Sequence, residues 1–140
     1  MGTEKQSVAS QGIVNCNSSI IWQKLIEFGG TEKFVPELIE RVVVEGTGIG
    51  SIRTIHIKGG GEIIEKLTSV NADKMEMKFI IISTPMPIQN YEGIFTVTHI
   101  DDTTCSVLFE SIYNVLPEQK AEIYNVIKDF QTVFISNLDK

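Results

Sequence analysis

The sequence predicts one α+β domain, with seven strands in an antiparallel sheet and a long C-terminal helix packed across it. Three observations carry this. Stretches of eight to eleven residues alternate apolar and polar side chains, seven times along the chain. The joints between the last six stretches, "GTGIG", "KGGG", "NAD", "TPMPIQN" and "DD", are too short for crossovers, so successive strands are antiparallel neighbours. Finally, "LPEQKAEIYNVIKDFQTVFISNL" repeats apolar residues at Ile123, Val126, Ile127, Phe130, Phe134 and Leu138, a single helical face about six turns long. Only a sheet is large enough to bury that face.

The elements follow in order. A first strand covers Ser7 to Val14. "NSS" at Asn17 to Ser19 caps a helix through "IIWQKLIEF", whose apolar face is Ile20, Ile21, Leu25 and Phe28 and which Gly29 and Gly30 stop. A short helix near "TEKFV" starts at Thr31 and ends at Pro36. Strands then fall at Leu38 to Glu45, Gly50 to Ile57, Glu62 to Val70, Lys74 to Ser83, Tyr91 to His99 and Cys105 to Val115. Pro117 sits in the first turn of the long helix. With 140 residues the chain makes one domain, 1–140, with one core.

Composition excludes several classes. The formal charge is −6, the pI is near 4.9 and no basic run exists, so nucleic acid is not an expected partner. The longest apolar runs, such as "FIII" at Phe79 to Ile82, fall far short of the roughly 18 residues of a membrane span, so no stable membrane insertion is expected. "MGTEKQSVAS" does not read as a secretory signal, and two distant cysteines, Cys16 and Cys105, make no disulfide framework; a cytoplasmic location is expected. His56 and His99 stand on separate strands without paired Cys or acidic spacing, so neither a metal nor a cofactor is expected.

"EGTGIGSIR" invites a phosphate-binding reading. The spacing is G-x-G-x-G rather than G-x-G-x-x-G, and "SIRTIHI" alternates as a strand where a phosphate site needs a helix N-terminus. The stretch is therefore expected to be a glycine-rich hairpin between strands.

That hairpin, "SIR" after it, "EKL" at Glu65 to Leu67, "NYEG" at Asn90 to Gly93, "FES" at Phe109 to Ser111 and the element order together resemble one superfamily. It is the helix-grip superfamily of START-like lipid-binding domains, birch-pollen-allergen-like proteins, plant abscisic-acid receptors and polyketide cyclase/dehydrase-like proteins. The resemblance spans Val8 to Leu138 and is closest to the cyclase-like and receptor branches. It implies a sheet curled around the long helix with an apolar cavity between them. Where the receptors carry a Ser-Gly-Leu-Pro-Ala gate this chain has "KGGGE", and "TPMPI" at Thr84 to Ile88 replaces their His-Arg latch. Their carboxylate-anchoring lysine has no equivalent near Pro36 to Leu38, so hormone reception is not implied.

Strand pairing suggests which side chains face the cavity. A tight turn at Asp101-Asp102 pairs Gly93 with Glu110, Tyr91 with Ile112, Phe95 with Leu108 and Val97 with Ser106. The alternation on the second of these strands is mixed, and the resemblance favours turning Tyr91, Phe95, Leu108, Glu110 and Ile112 inward. Pairing around "GGG" sets Ile55 beside Glu65 and Arg53 beside Leu67, with Ile57 and Ile63 on the same face. Phe79 and Ile81 complete the sheet's share of the lining, Val126, Phe130 and Phe134 cover it from the helix, and Met86 in "PMPI" lies on the rim.

Positions matching Arg53, Glu65, Tyr91 and Glu110 line the ligand cavity in the superfamily, which makes these four the polar site candidates. A buried carboxylate needs a partner, and Arg53 facing Glu65 is the expected one. Three roles stay open. Arg53 and Glu65 form a standing pair that only shapes the pocket, or a bulge turns one of them to solvent. Alternatively Glu65, Glu110 and Tyr91 bind a polar group of an otherwise apolar ligand. In the third, a glutamate acts as acid or base in cyclisation or dehydration while Tyr91 donates to an oxyanion. The leading expectation is a monomer or homodimer that carries or senses a small hydrophobic molecule such as a lipid, polyketide or isoprenoid. The alternative is a cyclase or dehydratase.

Overall fold

A computed structural model describes residues 2–140. One antiparallel sheet is built from β1 (Glu4–Val14), β2 (Ile39–Glu45), β3 (Ile52–Ile57), β4 (Glu62–Asn71), β5 (Glu76–Ser83), β6 (Ile88–Asp101) and β7 (Thr104–Val115). Its strand order is β1-β7-β6-β5-β4-β3-β2, so strands β2 to β7 are sequential neighbours and β1 returns beside β7. Helix α1 (Ser18–Ile26) and a 3₁₀ turn (Thr31–Lys33) separate β1 from β2, and helix α2 (Lys120–Ser136) closes the chain. No helix among the described residues is long and apolar enough to cross a membrane.

Local chemistry explains the helix bounds. The Asn17 side chain accepts from the Ser19 amide at 2.9 Å and starts α1. Its end differs from expectation, because Phe28, ahead of the two glycines, already takes a left-handed φ of 64°. The Phe28 ring is buried in the core, which holds the backbone there. α2 begins later than Pro117 because Pro117–Gln119 form a 3₁₀ turn of their own.

The buried stripe of α2 is Ile123, Ile127, Gln131, Phe134 and Ile135. Val126, expected to cover the cavity, is instead 48% exposed. At 100° per residue it lies roughly 100° round the helix from the centre of that stripe. α2 rests chiefly on β1 and β7. The approach is close: a Cβ on Gly12 would come within 2.9 Å of Ile135 Cγ2.

Aromatic rings fill much of the space between helix and sheet. Phe95 lies 4.1 Å from Phe109 and 5.0 Å from Phe134, centroid to centroid. Burying each such ring contributes about 1.5–3 kcal/mol. Gly93 belongs to this cluster through what it lacks, since a Cβ there would overlap the Phe79 ring lying on it. The space above Gly93 is thus taken by Phe79.

Candidate functional site

Arg53 on β3 and Glu65 on β4 are direct cross-strand partners, and Arg53 Nε donates to Glu65 Oε1 at 2.6 Å. The pairing differs by two residues from the expected Arg53 with Leu67 and Ile55 with Glu65; Ile55 in fact stands opposite Ile63. A shift of two keeps every side chain on its face, so the inward placement of Arg53, Ile55, Ile57, Ile63, Glu65 and Leu67 is unchanged. The cause is a tighter loop, Lys58 to Gly60, in which Ile57 pairs with Gly61 and the Gly60 amide bonds back to the Ile57 carbonyl.

Both members of the pair are 6% exposed. The remaining guanidinium contacts come from the segment after α1. Arg53 Nη1 donates to the Phe28 carbonyl and to Thr31 Oγ1, each at 3.3 Å, and the guanidinium carbon sits 4.0 Å above the Phe28 ring and 4.9 Å from that of Phe79. The left-handed backbone at Phe28 therefore presents both its ring and its carbonyl to one cation. That role for Phe28 and Thr31 was not foreseen; a loop carbonyl leaves no trace in side-chain pattern.

Burial pushes the Glu65 carboxyl above its ordinary range, and the charge and hydrogen bond of Arg53 pull the other way without cancelling it. Tyr91 is also buried, and its Oη lies 2.7 Å from Ser111 Oγ. Burial first, and the Glu65 carboxylate second, push its phenol well above the usual value, so it remains protonated.

Glu110 does not join this group. Gly93 pairs with Ser111, Phe95 with Phe109 and Val97 with Val107, one residue from the expected register. Leu108, Glu110 and Ile112 therefore lie half-buried on the outer face, opposite Thr96, Ile94 and Glu92, while Phe109, Ser111 and Tyr113 point inward. The shift originates in the turn. Asp101 Oδ1 accepts from the Thr103 amide at 2.9 Å and from Thr103 Oγ1 at 3.2 Å, so the loop is Asp102-Thr103, with an irregularity beside Ile100. The same shift makes His99 and Cys105 direct partners. Burial raises the Cys105 thiol above its ordinary value, the reverse of an activated nucleophile.

β5 and β6 pair only from Glu76 with Thr96 to Ile80 with Glu92. Beyond that they part, with Ile81 to Ser83 held by β4 and Ile88 by β7. Asn90, at a φ of 55°, turns the chain at the parting. The result is a hollow of about 660 Å³ lined by Ile81, Ile82, Ile88, Gln89, Asn90 and Tyr91. Met86, expected on the rim, is partly buried against the core and is not among the residues that line this hollow. Phe130 is half-buried and Phe134 buried on the inner face of α2. A second hollow of about 520 Å³ lies between α1 and the glycine hairpin, lined by Ile26, Gly48, Ile49 and Val70. Among the described residues no three His, Cys, Asp or Glu side chains group as a metal site would need.

Several solved structures share the architecture. Norcoclaurine synthase from Thalictrum flavum, in complex with dopamine and hydroxybenzaldehyde, superposes with a TM-score of 0.80 at 17% identity, covering 99% of this chain and 86% of that one. The Zhui aromatase/cyclase from a Streptomyces species gives 0.82 at 11% identity, over 96% and 92%. A protein from Thermobifida fusca gives 0.80 at 20% identity, over 95% and 89%. Comparison with curated protein sequences finds no match. The family model described as "Polyketide cyclase / dehydrase and lipid transport" matches residues 5–139. With that match over nearly its whole length, on the sheet and helix described above, the chain belongs to the polyketide cyclase/dehydrase and lipid transport family.

Proposed function

We propose that this chain binds a small, mainly apolar molecule, such as a lipid, polyketide or isoprenoid, in a cavity reached through the parting of β5 and β6, and carries or senses it. The observation that supports this best is a buried polar cluster set in an apolar surround: Arg53, Glu65 and the Tyr91 hydroxyl among Phe28, Phe79 and Ile81. Packing alone does not call for such a cluster, since apolar residues of similar volume in place of a buried ion pair are often neutral or stabilising. A ligand with one polar group and an apolar body would satisfy both kinds of surface.

The second reading is a cyclase or dehydratase. Its support is the Glu65 carboxyl, held above the ordinary range by burial, with the Tyr91 phenol inside the field of its carboxylate, as an acid or base with a nearby donor would be. Glu65 is the one of the two glutamates that faces inward, so it carries this role alone.

Mass spectrometry of the full chain under native conditions tests the binding reading. A small organic adduct is expected on the purified protein, and Ile81→Arg, which places a guanidinium in the opening, is expected to remove it. No adduct, together with no uptake of an apolar naphthalene probe, overturns the reading. If Glu65→Gln abolishes conversion of an aromatic polyketide while the molecule still binds, the enzyme reading replaces simple carriage.

A further inference from the structure

We infer that Tyr91 donates its hydroxyl hydrogen to the ligand and that Gln131 on α2 fixes this direction, so the site selects molecules that present an oxygen acceptor such as a carbonyl or phenolate. The inference rests on the ligand-binding reading above.

Four buried side chains form a continuous chain under the helix: Ser10, Gln131, Ser111 and Tyr91. Gln131 and Ser111 are each 0% exposed. The Gln131 amide has one possible orientation, because one of its ends lies 3.0 Å from the Val8 carbonyl, which can only accept; that end is Nε2. Its other end, Oε1, accepts from Ser10 Oγ at 2.9 Å. The second hydrogen of Nε2 goes to Ser111 Oγ at 3.0 Å.

Ser111 thus accepts from Gln131, and its single hydrogen has one remaining partner, Tyr91 Oη at 2.7 Å. With the opposite direction, Tyr91 donating to Ser111, the Ser111 hydrogen would be buried without any acceptor, which native structures avoid. Tyr91 Oη therefore receives a hydrogen from Ser111 and keeps its own, for which no side chain among the described residues is an acceptor. Tyr91 also lines the opening between β5 and β6. A carbonyl, enolate or phenolate oxygen completes the chain, whereas an ammonium or a bare hydrocarbon leaves the hydrogen unmatched. Gln131 is a positioning residue here, acting through Ser111.

Two probes of similar shape test this on the full chain: acetylnaphthalene, which has an acceptor, and isopropylnaphthalene, which has none. Tyr91→Phe is expected to weaken the ketone by about tenfold, the scale of one hydrogen bond to a ligand, and to leave the hydrocarbon unchanged. The carbonyl stretch of the bound ketone should lie at lower frequency in the native chain than in Tyr91→Phe. Gln131→Leu frees Ser111 to accept from Tyr91, so the stretch should move toward the Tyr91→Phe value while hydrocarbon affinity stays. Ser111→Ala serves if Gln131→Leu does not fold: Tyr91 then has no protein acceptor, and the ketone's advantage should persist. Ketone affinity indifferent to Tyr91→Phe, or strengthened by Ser111→Ala, overturns the direction assigned here and leaves the binding reading standing. Failure of both probes to bind overturns the binding reading and this inference with it.

Discussion

Arg53 and Glu65 face each other across β3 and β4 as a buried pair, and among the described residues every polar contact of the Arg53 guanidinium that lies off this hairpin comes from Phe28 and Thr31. The pair thus ties the sheet to the segment after α1. Arg53→Met would leave the Glu65 charge buried and alone, at a cost of about 3–5 kcal/mol. Arg53→Met with Glu65→Leu should recover most of that loss. Urea denaturation midpoints of the single and double variants measure both, and equal losses in the two would show that the carboxylate is not what suffers.

The raised Glu65 carboxyl has a pH signature. In the unfolded chain the group ionises near its ordinary 4.5, whereas folding holds its proton to higher pH. Between those two values the folded state carries the extra proton, so this group's contribution is fully present below pH 4.5 and is lost as pH rises through the folded value. The stability of the native chain relative to Glu65→Gln should therefore fall across that window. A relative stability that rises with pH would mean that Arg53 outweighs burial.

Gly93→Ala pushes a methyl into the Phe79 ring. Overpacking of this kind costs about 1–3 kcal/mol. Phe79→Leu should be destabilising alone yet less so in the presence of Gly93→Ala, a coupling that a double-mutant cycle reads directly.

Phe28 offers an inverted size series. Its φ of 64° is a conformation that costs a non-glycine residue about 1–2 kcal/mol. Both Phe28→Ala and Phe28→Gly lose the ring, but glycine escapes the backbone penalty. Phe28→Gly should be the more stable of the two by thermal denaturation, the reverse of the order seen where φ is negative.

On the outer face, Glu110→Gln should change stability by no more than about 0.5 kcal/mol and leave probe binding untouched. A large effect on binding would return Glu110 to the site.

Much of this arrangement was legible in the residues. Strand alternation and short joints yield seven antiparallel strands, and the helical repeat yields α2. Arg53 and Glu65 come out on one face even with the wrong loop size, because an error of two residues preserves side-chain direction. The β6-β7 hairpin was less forgiving. "DDTT" admits turns one residue apart, and the choice hangs on a single side chain, Asp101, capping Thr103. That one-residue error exchanged Glu110 for Ser111 and hid the chain from Ser111 to Gln131. Gln131 itself is polar within an apolar stripe, so a hydrophobic pattern passes over it.

The short seam between β5 and β6 divides the sheet mechanically. Five paired positions join them, Glu76 to Ile80 with Thr96 to Glu92, whereas α2 clamps the far side by resting on β1 and β7. Local openings cost less than global unfolding where backbone bonds are few and exposed. Spreading along this seam would widen the path to Tyr91 while β1, β6, β7 and α2 stay packed. Amide exchange should then be faster at the positions bonded across the seam, within Glu76 to Ile80 and Glu92 to Thr96, than in the β6–β7 ladder, and the rate of that breathing would set how quickly a guest is taken in or released.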